Sequence, residues 1–237
     1  MTWSIVARDE KTGAYGCAVA TKFFAVGAMC IKAEGHVGAL ATQALINPTY
    51  GPRGLRLLRE GKSAAEVVET LIGGDQGRDH RQVHVIDAAG RNAAHTGAQC
   101  VEWCGHLLRE GFSVAGNMLA GPGVIADTAT AYEANADLPL PRRLIAAMKA
   151  GEAAGGDKRG KQSAALIVYS TEEYPELDLR VDDHADPLAE LARLEAVSRE
   201  RFTHFRAFLP TGDNPSGVFD RATIEAGIAA ALADESK

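Results

Sequence analysis

With 237 residues, 46% of them hydrophobic and 24% charged, the chain has apolar material for one sizeable core and the make-up of an ordinary globular protein. Its net charge of −6 argues against nucleic-acid binding, which calls for a clustered basic face, and favours solubility. The opening MTWSIVARDE puts Arg8, Asp9 and Glu10 where a secretory signal has an apolar run, no stretch approaches the roughly 20 apolar residues of a membrane span, and four cysteines are too few for a disulfide scaffold, so a cytoplasmic protein with reduced thiols and no membrane partner is expected.

The first 42 residues read as strands. Two extended runs flank a polar turn, Asp9 to Gly13, which predicts a hairpin. Alternation along the first run sets Thr2, Ser4 and Val6 on one face and Trp3, Ile5 and Ala7 on the other. The next pair, AMCIKA and HVGALATQ, lacks polar alternation, as befits strands covered on both faces. A helix from Tyr50 to Glu60 follows, with Gly61 as its left-handed cap. Ser63 and Glu66 form an S-x-x-E capping box ahead of a second helix carrying Val67, Val68, Leu71 and Ile72.

Strands resume at RQVHVIDAAGRNAAHTG, turning at Asp87 to Gly90, and continue through CVEWCGHLL and GFSVAGNM. After Pro122 a helix groups Val124, Ile125, Thr128, Ala129 and Tyr132 on one side, and Pro141 opens another with Leu144, Ile145 and Met148. QSAALIVYS is a buried strand. Asp186-Pro187 starts a helix predicted to turn Leu188, Leu191, Leu194 and Val197 inward, and the remainder holds a turn-rich segment and an alanine-rich helix. Blocks of strands separated by blocks of helices point to an α+β protein with two sheets, not to a parallel alternating sheet.

Several strings resemble the DUF1028 family: SIVARD, KFFAVGA, GALATQALINPTYGPRGL, AAHTG followed by C-x-x-W-x-GH, FSVAGNMLAG, GGDKRGKQSAAL and LDLRVDDH. The resemblance implies an N-terminal-nucleophile (Ntn) hydrolase-like fold similar to proteasome subunits, a four-layer αββα sandwich of two mainly antiparallel sheets. On that basis residues 1–205 form the family domain and 206–237 a C-terminal appendage with a helix. Cys104 departs from the family pattern, which has a small residue there, and is therefore a poor candidate for a shared role.

Ntn hydrolases use the first mature residue twice, its side chain as nucleophile and its α-amine as base. The resemblance makes Thr2 that residue once Met1 is removed. Lys22 and Lys32 are the cations expected to favour the threonine alkoxide, although no acid precedes Lys22 as it does in proteasome subunits. Backbone amides near Thr42-Gln43 and the side chain of Asn117 are candidate oxyanion donors. Asp157, Gln162 and Ser163 lie in the segment that resembles a supporting loop. Gln43, Asn47, Tyr50 and Arg53 are candidates to line the substrate pocket, with Arg53 suited to a carboxylate. His95 and His106 join the substrate-binding candidates.

Two metal readings compete. His95, Cys100, Cys104 and His106 are zinc-ligand types, but their spacing matches no finger and one hairpin closes poorly into a tetrahedron. Asp182, Asp183, His184 and Asp186 could face a hard cation, although helix capping by Asp186 and pairing with Arg180 account for them. The reading favoured by the sequence is therefore an amidohydrolase for a small-molecule amide, with no cofactor or metal and with a homodimer as the simplest assembly. The alternative is a binding or scaffold protein that keeps the fold without turnover.

Overall fold

The structure is a computed structural model that describes residues 2–235; Met1, on which the expected processing step falls, lies outside the described residues. Strand β1 (Thr2–Arg8) runs into β2 (Tyr15–Thr21) through the expected turn. The Asp9 carboxylate accepts from the Thr12 amide at 3.2 Å, and Gly13 takes a φ of 75°, a conformation costly for any residue with a Cβ. The register pairs Thr2 with Thr21 and Arg8 with Tyr15. After the hairpin come β3 (Ile31–Glu34), β4 (Gly38–Ala44), α1 (Tyr50–Arg59), α2 (Ala64–Gly73), β5 (Arg81–Asp87) and β6 (Asn92–Thr96). Then follow β7 (Gly105–Arg109), β8 (Phe112–Asn117), α3 (Gly123–Ala134), α4 (Leu140–Ala153), β9 (Ser163–Tyr169), β10 (Leu177–Val181) and α5 (Pro187–Glu200).

The strands form a six-stranded sheet in the order β10-β9-β2-β1-β8-β7 and a four-stranded sheet in the order β3-β4-β5-β6, with antiparallel neighbours throughout. The sheets pack face to face, α3 and α4 cover the larger, and α1 and α2 cover the smaller. The protein is thus an αββα sandwich. Between the sheets Val6, Tyr15, Cys17, Val19, Ile31, Ala41 and Ile86 form an apolar cluster. A second cluster joins Val83, Val85 and Leu40 to Val67, Val68 and Leu71 of α2. Each fully buried Val or Leu here contributes about 1.5–3 kcal/mol of transfer free energy, so the two clusters are the main adhesive of the layers.

The alternation expected along β1 holds. Trp3 packs against the helix layer, where the Trp3 indole approaches Gly151 and Gly156 so closely that an added Cβ at either would crowd it. Thr2 and Ser4 face the opposite sheet, their hydroxyls meeting β2 and β4 residues. The capping box of α2 forms in both directions, Glu66 amide to Ser63 Oγ at 3.3 Å and Ser63 amide to Glu66 Oε2 at 2.9 Å. Gly61, at a φ of 82°, closes α1, with the Lys62 amide donating to the Leu57 carbonyl.

Two expectations need correction. The run CVEWCGHLL is not one strand: β7 begins only at Gly105, so Cys100 and Cys104 sit in the preceding loop. In α5 the inward stripe continues through Glu195 and Ser198, not through Val197, which is 42% exposed. The spacing 188, 191, 195, 198 follows the 3.6-residue period, whereas steps of three drift off the buried face. Chain contacts divide the molecule after Leu191, within α5. The second unit contains α6 (Phe202–Phe205) and α7 (Arg221–Glu235), joined by a bidentate Arg201–Glu225 pair and by Phe208 stacked against Gly227.

Candidate active site

A polar seam runs through the otherwise apolar space between the sheets, and Thr2 stands at its outer end. Period-2 alternation sends Ser4 of β1, Gln43 of β4, Gln82 and His84 of β5, and Ser113 and Asn117 of β8 into this layer, each at most 2% exposed. Ser4 Oγ donates to Gln43 Oε1 at 2.7 Å and lies 2.8 Å from His84 Nε2. Since the Ser4 proton is committed to Gln43, its oxygen accepts from the imidazole, which places the ring proton on Nε2. His84 Nδ1 then accepts from Ser113 Oγ at 2.8 Å. Gln43 Nε2 passes the chain on to Gln82 Oε1 at 2.9 Å and to the Thr2 carbonyl at 3.4 Å. Asn117 Nδ2 reaches the same two acceptors at 3.1 and 3.5 Å. Gln82 Nε2 faces Thr96 Oγ1 and the carbonyls of Gly105 and Gly116 at 2.8–2.9 Å, tying both sheets together.

Burial, and secondarily the neighbouring His106, lowers the His84 pKa to about 3, so the ring is neutral throughout the physiological range. An unfolded histidine takes up a proton near pH 6.5, hence the unfolded state binds more protons below that pH. Stability is accordingly full above about pH 6.5 and is expected to fall by about 1.4 kcal/mol per pH unit as the solution is acidified toward pH 3. Denaturant midpoints of His84→Gln measured between pH 7 and pH 4 should follow a flatter line than those of the parent. Parallel lines would show that His84 does not set the slope.

Outside the seam, the Thr2 hydroxyl opens on a pocket of about 200 Å³ lined by Thr2, Thr21, Phe23, Val26, Met29, Cys30, Gln43, Ala44, Ile46 and Arg159. Thr2 Oγ1 donates to Thr21 Oγ1 at 3.2 Å, the cross-strand partner fixed by the hairpin register. Burial pushes the Cys30 thiol up to about 12, so Cys30 stays an uncharged apolar lining group. The cation at the pocket is Arg159, whose guanidinium lies 3.2 Å from Asp157 Oδ2. The Asp157 side chain is wholly buried and also accepts from the Lys22 amide at 2.9 Å, which fastens the Arg159 loop to the end of β2. Ser163 performs the same task for the pocket wall: its hydroxyl donates to the Phe23 carbonyl at 2.6 Å and accepts from the Val26 amide at 3.2 Å.

The opposite wall is held from behind by Asp75. It accepts from Asn47 Nδ2 at 3.1 Å, Tyr50 Oη at 2.8 Å and Arg81 Nε at 3.1 Å, and Arg81 also bonds the Leu45 carbonyl. Burial opposes ionisation of Asp75, but the donors from Tyr50, Gly77, Asn47 and Arg81 outweigh it and keep the carboxyl well below the usual carboxylate range. Just ahead of this anchored loop, Ala44 adopts a φ of 71°, a conformation that the surroundings must enforce on a residue other than glycine. Asp75→Ala is expected to cost about 2 kcal/mol and to accelerate amide exchange selectively over residues 44–49. Uniform acceleration along the chain would contradict the local role.

Of the residues singled out from sequence, the structure brings Thr2 and Gln43 to the pocket, with Asp157 and Ser163 immediately behind its walls. Asn117 is adjacent to Thr2, but its amide is engaged by the Thr2 carbonyl and Gln82 and faces the seam, not the pocket. The Thr42 amide, expected as an oxyanion donor, is bonded to the Cys30 carbonyl at 2.9 Å. Lys22 points away, its Nζ 3.3 Å from the Lys161 carbonyl. Lys32 turns to the other face of its sheet, against Gly51 of α1, and donates to the Ala28 carbonyl at 3.2 Å. Strand alternation explains this: Ile31 and Ala33 take the inter-sheet face, so the residue between them cannot.

Asn47 and Tyr50 serve Asp75 and do not line the pocket, and Arg53 stays on α1 outside it. Gln162 bonds Asp183 at 3.0 Å at the surface. His95 bonds the Arg78 carbonyl and His106 the Thr96 hydroxyl, both at 2.9 Å, while the Cys100 and Cys104 thiols face main-chain carbonyls. Among the described residues no group of three or more His, Cys, Asp or Glu side chains is disposed to hold a metal ion. Arg159, two residues from Asp157 in the GGDKRGKQSAAL segment, lines the pocket without any sequence feature that separates it from the neighbouring basic residues. Gln82 and His84 left no distinct signal, since a polar residue alternating with valines reads equally well as solvent-facing.

The family model described as "Family of unknown function (DUF1028)" matches residues 2–191. The chain belongs to the DUF1028 family. A crystal structure of protein SPO2555 from Silicibacter pomeroyi, also a DUF1028 protein, is 32% identical with a TM-score of 0.86, covering 93% of this chain and 96% of that one. Anbu (ancestral beta-subunit) from Yersinia bercovieri is 11% identical with a TM-score of 0.41 over 83% of this chain and 94% of its own. No curated protein matches. The match to DUF1028 covers both sheets, all four covering helices and every pocket residue, so the pocket belongs to the family domain and not to the C-terminal unit.

Proposed function

We propose that this DUF1028 protein is an N-terminal-nucleophile amidohydrolase that cleaves a small amide through Thr2 after removal of Met1. The observation that carries the reading is the hydroxyl of Thr2 on the lining of a pocket, on a central strand where the Thr2 carbonyl is clamped by Gln43 and Asn117. The ladder to Thr21 and Asn117 holds the Thr2 backbone and the hydroxyl's bond to Thr21 Oγ1 holds its χ1, which together set an exposed α-amine relative to its own hydroxyl.

Thr2 Oγ attacks the amide carbonyl carbon and gives its proton to the α-amine. The C–N bond then breaks, the leaving amine takes that proton, and an acyl ester remains on Oγ. Water attacks the ester, losing a proton to the α-amine, which returns it to Oγ as the carboxylic acid departs. An α-amine with a pKa of about 7.7–8.0 suits both transfers near neutral pH. Arg159, in place of the expected lysines, is the cationic side chain among the pocket's lining residues and would offer guanidinium N–H donors to the developing oxyanion, while its pairing with Asp157 keeps the site without net charge.

The position of Lys22 and Lys32 away from Thr2 favours a second reading, a small-molecule-binding protein without turnover. Intact mass separates the two. Protein from its native host should lack the mass of methionine and should gain one equivalent of a threonine-directed β-lactone. Uniform retention of Met1, or a processed protein inert to the lactone, leaves only the binding reading.

A further inference from the structure

We propose that the pocket beside Thr2 selects amides whose acyl portion carries a neutral, apolar side chain no larger than a phenyl group. This inference rests on the amidohydrolase reading for its chemistry, but the recognition it describes stands on the pocket itself. Six of the lining residues, Phe23, Val26, Met29, Cys30, Ala44 and Ile46, present carbon or a protonated thiol, and of the polar ones Thr21 and Gln43 bond Thr2 itself. The single formal charge among the lining residues, Arg159, is ion-paired with the buried Asp157, so the local charge cancels. A charged substrate side chain would lose its hydration there without gaining an uncompensated counter-ion, whereas an apolar one gains from leaving water.

Size sets the upper limit. An apolar cavity of about 150 Å³ accommodates benzene, so about 200 Å³ shared with a reacting amide admits one ring or a branched aliphatic group and no more. The mouth continues the same character. The lining residue Phe23 is 53% exposed, and Phe24 and Leu45, each next in sequence to a lining residue, are 62% and 64% exposed. An exposed phenyl ring on the lining of an otherwise apolar pocket is what a groove for an apolar ligand presents.

The selectivity is tested by NMR titration of the processed full-length protein with N-acetyl-phenylalanine amide, N-acetyl-leucine amide, N-acetyl-glutamate α-amide and N-acetyl-lysine amide. The first two are expected to bind at least about tenfold more tightly than the charged pair, the discrimination one well-buried apolar group provides. Ile46→Trp and Met29→Trp, at half-buried positions in the lining, are expected to fill the space and remove the preference. Equal binding of all four, a preference for a charged ligand, no binding at all, or a preference unchanged in both tryptophan variants would overturn the inference. Lactone reactivity read on the same samples keeps the two claims apart. Apolar selectivity without acylation defeats the amidohydrolase reading and leaves this one standing, and acylation without selectivity does the reverse.

Discussion

Thr2→Ala is expected to abolish acylation by a threonine-directed lactone, a loss of at least about 10³-fold, with almost no change in folding stability. Alanine keeps the β1 backbone, its ladder with β2 and β8, and the carbonyl clamped by Gln43 and Asn117. It deletes one hydroxyl whose only described partner is the Thr21 hydroxyl at 3.2 Å, at the pocket edge where water can replace it. The cost to stability should be below about 1 kcal/mol. Thr2→Ser separates nucleophile from scaffold, because serine is small enough for methionine excision and retains a hydroxyl on the same carbon. Its acylation rate should stay within about 10²-fold of the parent, with the same pH inflection near the α-amine pKa of about 7.7–8.0. If Thr2→Ala labels at the parental rate, another group carries the reaction and the mechanism above is wrong.

The two readings of the lysines show where sequence ends and geometry begins. Thr2 was legible because strand position and residue type follow directly from order along the chain, and the hairpin turn fixes which neighbour faces it. Placing a cation requires knowing which face of each strand looks inward. For Lys32 the answer came from Ile31 and Ala33, both claimed by the inter-sheet cluster. For Lys22 it came from Asp157, which holds its amide while its ammonium reaches outward. Arg159 arrives from a loop some 157 positions along the chain from Thr2, and only closure of the sandwich brings them together. The blocks of strands and helices, by contrast, were legible from hydrophobic period and turn residues, which are local properties, whereas their stacking into four layers followed from the family resemblance. The helix stripe in α5 drifted for a small reason: leucines at steps of three suggest a face that the helical twist abandons by Val197.

Gln82→Leu should be among the most damaging single substitutions, costing about 2–4 kcal/mol. Hydrophobic gain is the opposing term, because leucine removes a buried amide from a site at 0% exposure. That gain is outweighed by what the amide leaves behind. Its Oε1 accepts from Gln43 and Asn117, and its Nε2 serves the Gly105 and Gly116 carbonyls and the Thr96 hydroxyl. Gln43, Asn117 and Thr96 each keep another partner, whereas the Gly116 carbonyl loses its side-chain donor in a buried place and the part-buried Gly105 carbonyl loses the same donor. A buried hydrogen bond lost without replacement costs about 1–3 kcal/mol, and the Gln43 and Asn117 amides add to it by losing their shared acceptor. Denaturant titration of the variant measures this directly, and a loss under about 1 kcal/mol would show that the seam is not the interlock between the sheets. The functional consequence follows from the same bonds. Without Gln82 the amides of Gln43 and Asn117 lose the acceptor that aims them at the Thr2 carbonyl, so the strand end bearing the nucleophile should loosen before the core does. Gln82→Leu is therefore expected to slow lactone acylation even at temperatures where its circular dichroism matches the parent, a combination that simple loss of folded protein does not produce.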